Sequence, residues 1–525
     1  MKELKRRDFL KYASWGVATL VVGCGGGGGG GGVVVDPGNG GGGDDGGGDG
    51  GGNGGGPGEI VETLNFTITD IMKEMITHEP DAPFPAGGNE ALCYYWVFKE
   101  DRFPADNPAP QIFCLTGDRI AVNVTNNLDG PHAFFIPGAP GQPPMVESGP
   151  IQPGETWSGE FIAGAPGTYL YHDNLNAPVN RVMGLHGALV VMPTEAVAGR
   201  KFTPYANPTA GVQQLFDDFG SAPWWPGLAW EEGDAVTETD PFRQYVWLVH
   251  EASPVLFAEV GAFAEANPGQ DFPAQNFMNA WFEAPFLNTN NDARADGVVA
   301  GFPRTEEFNR KPHFFTINGQ SGFFAHHNPA ITPFHRVGEP CVVRILNAGM
   351  DTHSLHLHAN HFYVTMVNNV PQENPIWVDV YNIFPGWNVD YTIPVMRPPD
   401  IPNARGIGRA NSSAGPDQGL PTATGTTWPP TEELNQHFPR LDLAVLQSPL
   451  CYPMHDHTEP SQVAQGGNYN CGMIAGLYIL GDRNTLGGIT DFPKDPEFIM
   501  MLEHGRHNRE TGPPVGGWPD GVPAP

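Results

Sequence analysis

The chain has 525 residues, 40% of them hydrophobic, and a formal charge of −31. That length allows two or three domains with real cores. The negative surface excludes nucleic acid and anionic lipid as electrostatic partners and tolerates cations and metal ions, although solubility alone also accounts for such a charge.

Lys5-Arg6-Arg7-Asp8-Phe9-Leu10-Lys11 precedes a short apolar stretch from Trp15 to Val22. This is the pattern of a twin-arginine export signal, and the stretch is too short to remain as a membrane span. It ends in Leu20-Val21-Val22-Gly23-Cys24, which resembles a lipobox. Residues 1–24 are therefore expected to be a lipoprotein signal that sends the chain to the cell envelope, anchored there by lipid on Cys24. The plain alternative is a signal with a chance cysteine. Residues 25–58 are nearly all glycine with scattered Asp and Asn. They are expected to form a flexible linker with a reach of roughly 30 Å.

From Glu59 the text alternates between apolar and polar residues, with frequent turn signals. Strands are expected at 63–69, 91–98, 117–126, 154–161, 167–172 and 187–192, spaced as in a sandwich or Greek-key barrel. They make residues 59–195 a first domain. Residues 196–240, crowded with Pro, Gly, Trp and acids, read as a connector. A second β domain is expected over 241–482, with an insertion at 254–300 holding a helix around 262–266 and a surface loop at 397–440. The tail, 483–525, has no assignment. Five cysteines follow Cys24. Cys93 with Cys114, and Cys451 with Cys471, are conceivable pairs in an oxidising compartment, leaving Cys341 as a buried thiol.

Chemistry concentrates in two segments of the second domain. One is Met350-Asp351-Thr352-His353-Ser354-Leu355-His356-Leu357-His358, and the other is Tyr452-Pro453-Met454-His455-Asp456-His457. Side chains alternate faces along a strand, so His356 and His358 share a face, as do His455 and His457. Side by side, two such strands place four imidazoles in one small volume, and neutral imidazole suits copper, zinc, iron and nickel. A single His-x-His pair is also compatible with a half-buried strand carrying solvated histidines.

These residues carry a resemblance. His353-Ser-Leu-His356-Leu-His358 and the segment from Tyr452 to Met473 resemble signatures of the multicopper oxidases. The run from Gly167 to Asp173, followed by Gly184-Leu-His186-Gly187, resembles a first-domain motif also found in copper nitrite reductases and two-domain laccases. The resemblance spans about residues 60–482. It implies an all-β chain of two cupredoxin-like Greek-key β-sandwich or barrel domains, with copper as cofactor. Relatives have an electron-accepting blue copper, bound by one Cys thiolate, two His and usually a Met, and further coppers bound by histidines alone.

Carried over by position, the resemblance implies a histidine-only set of His132, His172, His356, His358, His455 and His457. Such a set holds one or two copper ions per chain, or another transition metal. The blue site is degenerate. In the first domain Asn127, Asp173, Asn180 and Leu185 stand at its positions. In the second domain His353 is present, but Asp456 replaces the cysteine and Ser461 the later histidine. Asp173 and Asp456 are expected either to transfer protons or to orient histidines, or simply to fill vacated space. His186 is either an extra ligand or a hydrogen-bond donor beside the site. Trp224, Trp225 and Trp281 shape a substrate pocket or pack in the core.

Two classes of function follow from the resemblance. One is an oxidoreductase that takes electrons from a small-molecule or metal-ion donor. The other is a copper-free scaffold or metal-sequestering protein of the envelope. Two-domain relatives close as head-to-tail trimers, so a homotrimer is expected, with a monomer as the alternative.

Overall fold

The computed structural model describes residues 19–21, 60–76, 90–218, 243–282, 310–328, 330–337, 340–358, 360–395, 450–463 and 471–482. The expected linker, the 397–440 loop, the tail, Trp224 and Trp225 lie outside these residues, as do most of the expected signal and the connector beyond residue 218.

The first ten strands are β1 Thr19–Val21, β2 Ile60–Ile76, β3 Glu90–Glu100, β4 Gln111–Leu115, β5 Arg119–Asn126, β6 Phe135–Ile136, β7 Val146–Glu147, β8 Thr156–Ile162, β9 Gly167–His172 and β10 His186–Met192. They form a six-stranded sheet, β1-β4-β10-β9-β6-β7, and a four-stranded sheet, β3-β2-β5-β8. The later strands are β11 Arg243–Ala252, β12 Phe314–Ile317, β13 Phe334–Val337, β14 Cys341–Asn347, β15 His353–Leu357, β16 Phe362–Val367, β17 Val370–Val378, β18 Val380–Ile383, β19 Asn388–Ile393, β20 Leu450–Asp456 and β21 Ile474–Asp482. They form a six-stranded sheet, β12-β11-β14-β19-β16-β17, and a five-stranded sheet, β13-β21-β20-β15-β18. The architecture is all-β, in two-sheet sandwiches.

Sequence pattern explains which faces are covered. β5 alternates buried and half-buried residues, as its text predicts. β14, Cys-Val-Val-Arg-Ile-Leu-Asn, is buried at every position. It lies between two apolar layers, so it has no polar side to alternate with. One of those layers includes Leu170, Val190, Val246, Leu346 and Met366, and it cements the early strands to the late ones. Polar bonds cross the same seam. Arg344 donates to Thr168 Oγ1 at 2.9 Å, and Asn388 donates to the Thr168 carbonyl at 2.9 Å.

The insertion begins with helix rather than loop. Ser253 accepts from Leu256 N at 3.2 Å and Pro254 occupies the first turn, so a helix runs from Pro254 to Ala266, earlier than expected. A second helix, Ala274–Phe282, buries Trp281 against Phe277 and Phe257, which places this tryptophan in the core. No described helix is long and apolar enough to cross a membrane.

The conceivable Cys93–Cys114 pair does not form, and the Cys451–Cys471 pair lies outside the described side chains. Cys93, Cys114, Cys341 and Cys471 are all buried. Cys93 and Cys114 belong to different sheets of the first sandwich. Burial pushes the Cys93 thiol up to about 12, which leaves it inert as a nucleophile.

Candidate metal centre

β15 and β20 pair antiparallel, with His356 opposite His455 and Leu355 opposite Asp456. The ladder continues past both strand ends, where His358 N donates to Pro453 O and His457 N to Ser354 O. The period of two then sorts the side chains. His356, His358, His455 and His457 share the outer face. His353, Leu355, Met454 and Asp456 face the core and are buried.

On the outer face the four rings stand together. Centroid separations are 5.0 Å for His356–His358, 4.8 Å for His356–His457, 5.6 Å for His356–His455, 4.8 Å for His358–His455 and 5.1 Å for His455–His457. Nε2 of His358 and Nε2 of His455 are 2.7 Å apart. His356 Nδ1 donates to the Asp379 carbonyl at 3.1 Å, which leaves its Nε2 lone pair outward. Burial lowers the His356 imidazole, and it pushes His455 down to about 4. Both are neutral near pH 7, the state a ligand requires. As the rings stand, no three His, Cys, Asp or Glu side chains among the described residues have the arrangement to hold a metal ion. The donor chemistry fits copper, and a third ligand requires a ring to turn.

The inner face holds a different cluster. His353 Nδ1 bonds Asp456 Oδ2 at 2.7 Å, and its Nε2 bonds Glu251 of β11. All three side chains are fully buried. Burial alone would push the His353 imidazole down. The two carboxylates outweigh it and hold His353 well above its ordinary value, as an imidazolium. For Asp456 burial acts upward, but His353, Thr458 and the Ser354 N–H together hold its carboxyl below the usual range. Glu251 also accepts from Met350 N at 2.8 Å. A Cβ on Gly349 would stand 1.9 Å from a Glu251 oxygen, so only glycine admits this approach.

Asp456, which the sequence resemblance sets at a cysteine position, engages His353. Its neighbours Met473 and Ser461 converge there. Asp456 N donates to Met473 O at 3.1 Å, and Met473 N donates to Ser461 Oγ at 3.0 Å. Glu251 is the residue that sequence reasoning missed. The available signal was a pair of ionisable residues, His250-Glu251, closing the apolar run Tyr-Val-Trp-Leu-Val, since a buried charge needs a partner.

The first sandwich repeats the inner arrangement around His132. Asn126 donates to Ile151 O at 2.8 Å, and His132 pairs with Ile151. Asn347 likewise donates to Ile383 O at 3.1 Å, and His353 pairs with Ile383. His132 thus takes the place in this sandwich that His353 takes in the other. Nδ1 of His132 bonds Asp173 Oδ2 at 2.8 Å, and Asn180 donates to the same oxygen at 2.9 Å. Asp173 N donates to Leu185 O, as Asp456 N does to Met473 O. His172 pairs with Phe135 as His455 pairs with His356. It lies on the outer face beside the Phe135 ring, at 5.2 Å. Burial lowers it to about 4. Neither His132 nor His172 makes a ring contact with the four clustered imidazoles among the described residues.

Two stretches match multicopper oxidase family profiles, residues 103–196 and residues 302–395. Among curated relatives, a multicopper oxidase MCE of Talaromyces pinophilus is 28% identical over 145 residues, 26% of this chain and 23% of that protein. An L-ascorbate oxidase of Cucumis sativus is 33% identical over 96 residues, 17% of this chain and 16% of that protein. The alignments thus span less than a quarter of these relatives' length. Similar solved structures include a blue copper oxidase from Nitrosomonas europaea, with TM-score 0.43 and 16% identity over 83% of this chain and 92% of that one. A copper nitrite reductase from the same organism has TM-score 0.40 and 14% identity over 81% and 95%. Each sandwich thus contains a stretch that matches a multicopper oxidase family profile.

Proposed function

We propose that the chain is a copper-binding oxidoreductase whose copper is held by histidines alone, with no blue copper. The observation that carries this reading is the separation across β15 and β20: four imidazoles outside, and a thiolate-free Glu–His–Asp cluster where blue copper would sit. When bound, copper would supply one-electron redox chemistry and a Lewis-acid site for a small oxidant or anion. His356, His358, His455 and His457 would hold it, with His356 oriented by the Asp379 carbonyl. Asp456 and Asp173 act as positioning groups, since their carboxylates point inward and are spent on His353 and His132. With no internal electron-accepting copper, a small-molecule or metal-ion donor delivers electrons directly to the histidine site. His172 would join it only through a neighbouring copy, as in a head-to-tail trimer.

Copper-loaded protein is expected to carry one or two coppers per chain and to lack the intense thiolate absorption band. His358→Ala and His457→Ala should each weaken copper binding by more than the roughly 10–100-fold that loss of an outer partner costs, and oxygen consumption with a phenolic or metal-ion donor should fall in step. A copper-free scaffold is the second reading, favoured by the lack of a three-ligand arrangement. It predicts no copper retained, no donor oxidised and melting curves indifferent to copper.

The twin-arginine motif and Cys24 support export and a lipid anchor. Wild-type protein should then fractionate with membranes, and Cys24→Ala should release it to the soluble fraction. Equal membrane retention of both would end the anchor proposal.

A further inference from the structure

His186 and His250 belong to neither histidine cluster. His186 opens β10 and His250 lies on β11; they are 0% and 1% exposed. Their ring centroids are 4.6 Å apart, at an interplanar angle of 53°. His186 Nδ1 donates to the Arg181 carbonyl at 2.7 Å, and His250 Nε2 donates to the Val182 carbonyl at 2.8 Å. These are consecutive carbonyls at the end of the short helix Val179–Val182.

Those two bonds fix the tautomers, because a neutral imidazole carries one N–H. Nε2 of His186 and Nδ1 of His250 therefore keep their lone pairs, and both are buried without a hydrogen-bond partner. A buried acceptor left bare costs about 1–3 kcal/mol, and here two occur in touching rings. Protonation does not relieve them. Burial holds His186 well below its ordinary value and His250 at about 3. With their N–H sides tied to neighbouring carbonyls, the two bare nitrogens belong to rings whose centroids are 4.6 Å apart.

We propose that His186 and His250 form a buried two-nitrogen site for one copper(I) ion, separate from the outer cluster. The donor set selects the ion. Two neutral nitrogens with no carboxylate or thiolate fall short of the four ligands that a divalent ion such as zinc takes. The Tyr95 and Phe257 rings flank His250, each with its centroid 6.3 Å away. Arg181, His353 and Lys73 lie near enough to lower the His250 imidazole further, and like charge disfavours a divalent ion more than a monovalent one. A soft monovalent ion that accepts two donors meets all three conditions. The competing occupant is a single water, whose two O–H groups also match two lone pairs.

The test uses the full chain produced in copper-supplemented cells, kept reduced and anaerobic, and stripped of loosely held metal with a copper(I) chelator. His186→Phe and His250→Phe should each lose one copper per chain relative to wild type. His358→Ala, which damages only the outer cluster, should retain that copper, so failure of the functional proposal leaves this one standing. Crystals of wild-type protein should show anomalous scattering at the copper edge between the two bare nitrogens. An unchanged copper count in the folded phenylalanine variants overturns the proposal. So does a water without anomalous signal at that position in wild type, a result that does not depend on any variant folding.

Discussion

His353→Leu is expected to cost about 3–5 kcal/mol of folding stability at neutral pH, the range for breaking a buried ion pair by removing one partner. The imidazolium stands between Glu251 and Asp456, all three fully buried. Without it, two carboxylates face each other across an apolar void. The pH dependence identifies the cause. In wild type the His353 value is raised, so its contribution is complete below the ordinary imidazole value of about 6.5 and is lost as pH rises through the raised folded value. The Asp456 value is depressed, so its contribution is present above the ordinary carboxylate range and is lost as pH falls through the folded value. Wild-type stability should form a plateau between the ordinary carboxylate and ordinary imidazole values and fall as pH rises above about 6.5. In His353→Leu Asp456 loses its counter-ion and its folded value rises. The variant should then gain stability as pH drops from about 6.5 to 5, where wild type stays level, and should lack the wild-type fall between about 6.5 and 8. Urea unfolding across both ranges measures both. A variant within about 0.5 kcal/mol of wild type, the range of ordinary surface changes, would mean that the cluster is not held by charge.

Much of this site was legible because a strand has a period of two. His356 and His358 share a face from spacing alone, and the same spacing places His353 on the opposite face. The consequence that His353 and Asp456 meet inside required only that the strands pair with His356 opposite His455. Glu251 was not legible in that way. It comes from β11 in the other sheet, about a hundred residues earlier, and no local pattern links it to His353. The place of His132 on the inner face was not legible, because the first sandwich lacks the flanking histidines that mark the second, with Phe135 standing where His356 stands. A better guide was available in the six-residue step from Asn126 to His132, repeated from Asn347 to His353. Both asparagines anchor the same turn, so that step fixes the alignment of the two domains. The strands at the seam between the sandwiches, β11 and β14, lost their alternation because both faces are covered. Their partners across the seam therefore could not be read from pattern.

Asp456→Cys combined with Ser461→His is expected to convert a colourless protein into one with an intense blue absorption band when copper is added. The required set is a thiolate, two imidazoles and a weak axial methionine. His353 is already in place, and its Nδ1 faces residue 456 at 2.7 Å. Its Nε2 is tied to Glu251, which would orient the ring as outer partners do in metal sites. Met473 is buried, and its backbone bonds both Asp456 and the Ser461 hydroxyl. Those contacts bring positions 456, 461 and 473 together without any rearrangement of strands. The single change Asp456→Cys supplies the thiolate but only one imidazole, so its copper should bind more weakly and absorb less. Ser461→His alone leaves the carboxylate on His353 and should remain colourless. The blue band should be independent of the outer cluster and persist when His358→Ala is added. A double variant that folds, takes up copper and stays colourless would show that the inner pocket has lost more than its ligands, and that the Glu–His–Asp cluster is not a vacated blue site.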